Sequence, residues 1–132
     1  MKILLIEDDL DDIELLHEAL SSRNVSYNMD TITDGGEAIS YIRNCDDSPD
    51  IIILDFNLPK VHGRDIILEI KSGALFGNIP LLVLTTSSAK EDIEYAYANG
   101  ADKYLVKPVD TEKTNELVNT IVQLYNSRPG TV

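Results

Sequence analysis

Short apolar runs bounded by polar or turn residues recur along the chain, and stretches with helical spacing separate them. Three of the runs are continuously apolar, which is typical of parallel strands buried on both faces. The runs predict strands at residues 3–6, 27–32, 51–54, 81–84 and 104–106. Between them, apolar residues at helical spacing predict helices that pack on the sheet: Leu10, Ile13, Leu16 and Leu20; Ile66, Ile67 and Ile70; Ile93 and Ala96; and Leu117, Ile121 and Leu124.

Turn residues fall at the junctions between these elements. Asn99 and Gly100 have the composition of a helix end, and Asp110 has that of a helix N-cap. A repeated series of strand–helix units predicts a three-layer α/β sandwich, because right-handed crossovers place helices on both faces of a parallel sheet. A chain of 132 residues is long enough for one such domain, without disulfides or a structural metal.

Composition narrows the classes of function. The formal net charge of -12 repels a phosphate backbone, so direct binding of nucleic acid is not expected. No apolar stretch approaches the length of a membrane span, and acids interrupt "MKILLI" before it could serve as a secretory signal, so we expect a cytoplasmic protein. The single cysteine, Cys45, can form neither an internal disulfide nor a cysteine-based zinc site, and we interpret it as a partly exposed residue without a role.

Polar side chains follow several of the predicted strands directly. In an open parallel sheet, ligands bind outside the carboxyl ends of the strands, near the point where the strand order reverses. Side chains that follow the first, third, fourth and fifth strands should therefore meet at one edge of the sheet. They are Glu7 and Asp8, Asp55, Thr85 and Thr86, and Lys107.

Carboxylates that converge at this edge need a cation. Unit charges about 4 Å apart interact by about 4 kcal/mol at an effective dielectric of about 20, so Glu7, Asp8 and Asp55 would repel one another strongly. Hard oxygen ligands favour Mg²⁺, which keeps several waters for substrate phosphate. The alternative is that Glu7, Asp8 and Asp9 only cap the first helix and interact with its dipole. A solvated face of that helix is the expected place for Asp9, Asp11 and Asp12.

Asp55 is the candidate nucleophile in this cluster. A carboxylate beside a bound metal can form an aspartyl phosphate. Lys107 would supply positive charge for the phosphoryl oxygens, and the Thr85 hydroxyl with nearby backbone N–H groups would supply hydrogen-bond donors. Each position also has a plainer interpretation. Asp55 would be a turn or cap aspartate, Lys107 a surface lysine that ends a strand, and residues 85–88 polar residues that cap a helix.

Four segments together resemble a known family. "ILLIEDD", "DIIILDFNLPKVHG", "PLLVLTTSS" and "GADKYLVKP", in this order and spacing, are similar to the motifs of the response regulator receiver domains of two-component signalling. The resemblance covers essentially the whole chain and implies a flavodoxin-like (βα)5 fold with the sheet order 2-1-3-4-5. We therefore expect a receiver domain at 1–126 and a short tail at 127–132, with no output domain.

The resemblance also implies roles for individual residues. Asp55 matches the phosphoacceptor, Glu7 and Asp8 match the acidic pair, and the backbone carbonyl of Asn57 matches a metal ligand. Backbone groups of Asn57 and Thr86 are expected to contact the phosphoryl group. Thr85 and Lys107 match the phosphate-sensing hydroxyl and lysine, and Tyr104 matches an aromatic switch position. Movement of the loop after the fourth strand is expected to open space into which Tyr104 turns.

The same resemblance implies a cofactor and partners. Mg²⁺ is the expected cofactor, and a sensor histidine kinase is the expected partner. The face formed by the fourth helix, fifth strand and fifth helix is expected to contact the output partner or a second copy of the chain. Beyond its own phosphorylation and slow dephosphorylation, the chain is not expected to be an enzyme.

Within the family, one subgroup is most similar. The segments "EDDLDD", "LDFNLPKVHGRDI" and "LTTSSAKEDI" resemble the small regulators that serve bacterial phytochrome-type histidine kinases. His62 stands where many receivers have an acid before Gly63, and Thr114 stands where an apolar residue is common. We interpret His62 as an exposed loop residue, and His17 as a residue on the polar side of the first helix.

Other functions share some of these features. A haloacid-dehalogenase-type phosphatase would also use a strand-end Asp, but it usually has a second Asp two residues later, where this chain has Asn57. A flavodoxin would share the fold, but its first loop must hold the phosphate of FMN, which the acidic "EDDLDD" would repel. A degenerate receiver that acts only as a binding module remains an alternative, although every expected site residue is present.

Overall fold

A parallel sheet with helices on both faces forms the molecule. The computed structural model describes residues 1–45, 47–58, 61–73 and 75–127. Within those residues, the strands are β1 (Lys2–Ile6), β2 (Asn28–Ile32), β3 (Ile51–Leu54), β4 (Leu81–Thr85) and β5 (Lys103–Val106). The helices are α1 (Leu10–Ser22), α2 (Gly35–Asn44), α3 (Gly63–Ser72), α4 (Lys90–Ala98) and α5 (Thr111–Asn126).

The strand order is β2-β1-β3-β4-β5, and all neighbouring pairs are parallel. Both the fold class and this order confirm the sequence prediction, and each strand begins and ends within one residue of its predicted bounds. Agreement is this close because β1, β3 and β4 are buried on both faces and read as continuous apolar runs. Of the expected tail at 127–132, residues 128–132 lie outside the described residues.

Two apolar cores lie on opposite faces of the sheet. Alternate residues of β1 divide between them, because side chains along a strand point to opposite faces. Leu4 and Ile6 pack in the core under α2, α3 and α4, whereas Ile3 and Leu5 pack in the core under α1 and α5. The prediction of a three-layer sandwich is therefore confirmed.

Most of the predicted helix faces pack on these cores, with one exception. Leu16, Ile66 and Ile121 are almost completely buried. The prediction that Leu10 packs on the sheet is wrong, because its side chain is 75% exposed. Leu10 is the first residue of α1 and lies beyond the carboxyl end of β1, where the sheet no longer covers it.

The predicted turn chemistry is observed. Asp110 is the N-cap of α5, and its side chain accepts a hydrogen bond from the backbone N–H of Lys113. Asn99 is the C-cap of α4, and Gly100 has a φ of +105°, a conformation that favours glycine. Cys45 is partly exposed and makes no disulfide, as expected. None of the helices in the described part of the chain has the length and hydrophobicity that a bilayer crossing requires.

Candidate functional site

Strand register places the predicted polar residues at one edge of the sheet. Ile6 of β1 is paired with Leu54 of β3, so the next residues, Glu7 and Asp55, leave the sheet side by side. Thr85 of β4 is paired with Val106 of β5, and Lys107 follows. Backbone hydrogen bonds continue past the strand ends, since the N–H of Asp55 donates to Ile6 O at 3.0 Å and that of Lys107 donates to Thr85 O at 2.8 Å.

Glu7, Asp8 and Asp55 form an acidic cluster. Each offers a carboxylate oxygen that lies within 4.8 Å of the other two. Glu7 and Asp55 are buried, with 2% and 3% of their surface exposed, whereas Asp8 is exposed. A set of hard oxygen donors at this separation fits a divalent cation such as Mg²⁺.

Glu7 is held by contacts on both carboxylate oxygens. Its Oε2 accepts from the backbone N–H groups of Asp8 and Asp9 at 3.1 and 3.2 Å, and its Oε1 lies 2.8 Å from Lys107 Nζ. Burial raises the pKa of Glu7, and the proximity of Asp55 raises it further. The hydrogen bond from Lys107 opposes these effects, and the pKa of Glu7 comes to about 7.

Lys107 lies among carboxylates. Its Nζ is 3.1 Å from Asp55 Oδ2 and 2.6 Å from Asp12 Oδ2, in addition to the contact with Glu7. Burial lowers the pKa of Lys107, but hydrogen bonds to Asp12 and Glu7 and the charge of Asp55 outweigh burial and raise the pKa above its ordinary value. The interpretation of Lys107 as a surface lysine is therefore wrong, because only 12% of its side chain is exposed.

Asp12 joins this site, which the sequence analysis did not predict. Its carboxylate contacts Lys107 and its side chain is 30% exposed, so its assignment to a solvated face of α1 is wrong. Asp12 lies four residues before the buried Leu16, on the side of α1 that faces the sheet. The spacing of four residues between Asp12 and Leu16 is the sequence signal that could have placed Asp12 on this side of the helix. Asp9 is the N-cap of α1, as the alternative interpretation predicted, and Asp11 is exposed.

Asn57 connects the acidic cluster to the end of β4. Its backbone N–H donates to Asp55 Oδ1 at 3.0 Å, and its side-chain amide donates to Thr85 Oγ1 at 3.0 Å and to Thr86 Oγ1 at 3.1 Å. Thr85 is completely buried. The alternative that residues 85–88 cap α4 is wrong, since Ala89 is the N-cap and makes no side-chain capping bond.

Tyr104 lies inside the molecule. Its side chain is 8% exposed, its ring contacts Phe56 edge to face at 6.1 Å between centroids, and its hydroxyl donates to Ser87 O at 2.8 Å. Burial raises the pKa of Tyr104 above its ordinary value. The ring thus occupies an inner position, which is the position expected for it after the β4–α4 loop has moved.

Two histidines have contacts that the sequence did not predict. His62 is exposed, as expected, but it is also the N-cap of α3, and its Nδ1 accepts from the backbone N–H of Arg64 at 3.0 Å. Histidine is not among the usual capping residues, so no sequence signal identified it. His17 is half-buried, with Nδ1 2.7 Å from the Tyr27 hydroxyl. Neither contact belongs to the acidic site.

As a whole, the site can perform carboxylate chemistry on an anion. A buried carboxylate oxygen on Asp55 lies beside an ammonium and close to two further carboxylates that can hold a cation. The backbone N–H of Asn57 donates to the other carboxylate oxygen of Asp55, and the Asn57 side chain contacts the Thr85 hydroxyl. Such an arrangement can position a phosphoryl group for attack by Asp55 or can bind it without reaction.

Comparisons with known proteins place this geometry among relatives. A family model described as "Response regulator receiver domain" matches residues 3–119. The probable methanogenesis regulatory protein FilR2 of Methanothrix harundinacea is 32% identical, over 97% of this chain and 87% of that protein. Response regulator Rcp1 of Synechocystis is also 32% identical, over 93% of this chain and 87% of that protein.

Solved structures give the same result. The phosphorylated cyanobacterial phytochrome response regulator RcpA is 37% identical, with a TM-score of 0.84 over 96% of this chain and 94% of that chain. The Mn²⁺-bound form of Rcp1 is 29% identical, with a TM-score of 0.82 over 99% of this chain and 96% of that chain. The similarity to small phytochrome-associated regulators that the sequence predicted is therefore confirmed.

Proposed function

This chain belongs to the response regulator receiver domain family, and from that premise we propose that it accepts a phosphoryl group from a histidine kinase onto Asp55 and signals through protein–protein contacts. One observation carries the proposal. Asp55 is buried, belongs to a cluster of carboxylates that fits a cation, and contacts an ammonium that offsets part of their charge. A carboxylate that only capped a turn would need neither the other carboxylates nor the ammonium beside it.

Glu7, Asp8 and Asp55, with the backbone carbonyl of Asn57, would hold Mg²⁺, as Rcp1 holds Mn²⁺ in its metal-bound form. Bound there, the ion supplies positive charge that offsets the repulsion between the anionic donor and the carboxylates.

Asp55 performs the chemical step in this proposal. A carboxylate oxygen of Asp55 attacks the phosphorus of a phosphohistidine, and a new P–O bond forms as the P–N bond breaks. The bonding electrons return to the imidazole nitrogen, which takes a proton from solvent. The backbone N–H of Asn57, 3.0 Å from Asp55 Oδ1, and the ammonium of Lys107 hold the carboxylate in place.

Other groups of the chain hold the transferred phosphoryl group. Lys107 pairs with its negative oxygens, and the Thr85 hydroxyl and the backbone N–H of Thr86 donate hydrogen bonds to it. The Thr85 hydroxyl accepts its hydrogen bond from the Asn57 amide, and that contact uses a lone pair of the hydroxyl and not the hydrogen that it would donate. A phosphoryl group can shift the β4–α4 loop only by the difference in its interactions with the two loop positions.

Asn57 favours storage of the phosphoryl group over rapid turnover. A phosphatase of the haloacid-dehalogenase type needs a proton-transferring group two residues after the nucleophile. The Asn57 amide cannot transfer protons in this way, and its hydrogens are directed to Thr85 and Thr86.

The face formed by α4, β5 and α5 is the proposed output surface. Tyr97 on α4 and Val106 at the end of β5 are 46% and 48% exposed, so this face presents apolar groups to a partner. A phytochrome-type kinase upstream is the partner that the similarity to RcpA and Rcp1 supports. A second copy of the chain is a further candidate for this face.

Intact-protein mass spectrometry after incubation with a small acyl phosphate tests the proposal. We expect the wild-type chain to gain the mass of one phosphoryl group with Mg²⁺ and not with a chelator. Asp55→Asn should gain nothing, whereas Asp11→Asn, which removes an exposed carboxylate from α1, should behave as wild type. A chain that binds Mg²⁺ but gains no mass would instead be a degenerate receiver that acts only as a binding module.

A further inference from the structure

A chain of polar contacts links α3 to the loop between β4 and α4, outside the acidic site. The Arg64 guanidinium donates from Nη2 to Asp92 Oδ1 at 2.9 Å, and the Ser87 hydroxyl donates to Asp92 Oδ2 at 2.6 Å. Each oxygen of one carboxylate thus holds a different segment of the chain. We call Arg64, Asp92 and Ser87 the loop clasp.

Surrounding contacts support the loop clasp. The guanidinium carbon of Arg64 lies 4.6 Å from the centroid of the Tyr95 ring, which adds a cation–π contact to its ion pair. Side-chain exposure is 36% for Arg64 and 19% for Asp92. The hydrogen bond from Ser87 and the ion pair with Arg64 lower the pKa of Asp92, so the carboxylate is ionised at neutral pH.

Ser87 connects the loop clasp to the switch residue. Its Oγ accepts from the backbone N–H of Ala89 at 3.2 Å, and its backbone N–H lies 3.4 Å from Thr85 Oγ1. Its carbonyl accepts the Tyr104 hydroxyl. Because the side chain, the N–H and the carbonyl of Ser87 are all engaged, the position of this one residue determines whether Tyr104 finds an acceptor inside the molecule.

We propose that Arg64 and Asp92 are positioning residues that hold Ser87 where its carbonyl receives the Tyr104 hydroxyl, and so keep Tyr104 buried. The proposal rests on the proposed function in one respect, which is that burial of Tyr104 carries a signal. The contacts themselves require no phosphoryl transfer. Its consequence is that contacts of α3 and α4 help to set the position of Tyr104.

An ordinary surface ion pair would not have this effect. Lys90 and Glu94, also on α4, are 3.7 Å apart, with side chains 85% and 65% exposed. Such exposed pairs contribute little to stability. Their ion pair joins two positions within α4 and includes no residue of the β4–α4 loop, which makes Glu94→Ala the matched control for Asp92→Ala.

Fluorine NMR of protein labelled with 3-fluorotyrosine, without phosphoryl donor, tests the proposal. The Tyr104 signal is assigned from its loss in Tyr104→Phe. We expect Asp92→Ala and Ser87→Ala to move it toward the position of solvent-exposed tyrosine, with the buried-to-exposed ratio reduced about tenfold or more, the effect of losing one hydrogen bond to a charged group. Glu94→Ala should leave the signal unchanged.

A graded series distinguishes positioning from general stability. Asp92→Asn keeps an acceptor for Ser87 but loses the charge that faces Arg64, so its Tyr104 signal should fall between those of wild type and Asp92→Ala. Arg64→Lys should likewise be milder than Arg64→Ala. The double variant of Asp92→Ala with Ser87→Ala should move the signal no further than either single variant, because both remove the same contact.

The outcomes separate this proposal from the proposed function. A Tyr104 signal that stays at its wild-type position in Asp92→Ala and Ser87→Ala would overturn the loop clasp, whether or not Asp55 accepts a phosphoryl group. A signal that moves as expected in a chain that never becomes phosphorylated would support the loop clasp and contradict the proposed function.

Discussion

At the scale of the residue, the site depends on one ammonium among several carboxylates. Lys107 lies within 3.1 Å of oxygens on Glu7, Asp12 and Asp55. Without that charge, these carboxylates would face one another where little water screens them. A bound cation can take over the same task, so Lys107 and the metal should compensate for each other in stability.

Lys107→Met should therefore destabilise the metal-free fold. We expect the free energy of unfolding to fall by about 2 kcal/mol or more, as when one partner of a buried ion pair is removed. Mg²⁺ should raise the stability of this variant more than that of wild type, because binding to the folded state alone stabilises it. Urea titrations with Mg²⁺ and with a chelator measure both effects.

The control is Lys113→Met, which removes an exposed lysine paired with Glu116 on α5. It should change stability by less than about 0.5 kcal/mol. Equal stability of Lys107→Met and Lys113→Met in chelator would show that the carboxylates do not need the ammonium.

Asp8 should matter most to metal affinity. Its carboxylate is exposed, whereas Glu7 and Asp55 already contact Lys107. Calorimetric titration of Asp8→Ala should show Mg²⁺ affinity reduced at least about tenfold, or about 1.4 kcal/mol. Asp11→Ala, an exposed acid three residues away in the sequence, should bind as wild type does; unchanged affinity in Asp8→Ala would remove Asp8 from the metal site.

At the scale of the element, helix α3 is fixed to the site by a close backbone approach. The N–H of Gly63, its first residue, donates to Phe56 O at 3.1 Å. A Cβ built on Gly63 would collide with Phe56 Cα and lie 2.5 Å from Phe56 Cδ1. Only glycine lets α3 begin directly beneath the segment that carries Asp55.

Gly63→Ala should lower the free energy of unfolding by about 1–3 kcal/mol, the usual range for an overpacked core. Gly73→Ala is the matched control at the other end of the same helix, where the nearest atoms to a Cβ lie 3.8 and 3.9 Å away. It should be nearly neutral. If chemical denaturation gives both variants the same midpoint, the close approach does not constrain α3.

Strands and helices were predictable from the sequence where burial determines the pattern of apolar and polar residues. Strands β1, β3 and β4 are buried on both faces, and their apolar runs identified them. Parallel pairing then placed Glu7, Asp55 and Lys107 at one edge. Contacts between helices were not predictable in this way, because the ion pair of Arg64 with Asp92 depends on how α3 packs beside α4.

At the scale of the molecule, a receiver must connect the acidic site to a distant surface. Tyr104 lies on that route, between the β4–α4 loop through Ser87 and helix α4 through Tyr97, whose hydroxyl accepts from the Tyr104 backbone N–H at 3.0 Å. The family resemblance predicted a switch role for Tyr104 but did not predict its buried position, which depends on the packing of Phe56 and the loop.

Phosphorylation should accordingly change the amide protection of the face formed by α4, β5 and α5. Amide hydrogen exchange with and without a phosphoryl mimic bound at Asp55 should show changed protection in the β4–α4 loop, α4 and β5. Backbone amides of α2 serve as the internal reference, because α2 contacts β2, the edge strand opposite β5. Changes confined to α1 and α2 would rule out the proposed output surface.

The central claim is that Asp55 is the residue that becomes phosphorylated, and direct localisation of the phosphoryl group tests it best. After incubation with a small acyl phosphate and Mg²⁺, reduction with borohydride converts an aspartyl phosphate to homoserine, which peptide mass spectrometry can place in the sequence. We predict homoserine at position 55 in the presence of Mg²⁺ and none there with a chelator. Homoserine at Asp8 or Asp12, or a phosphoryl group on Thr85 or Thr86 with Asp55 unmodified, would contradict the account.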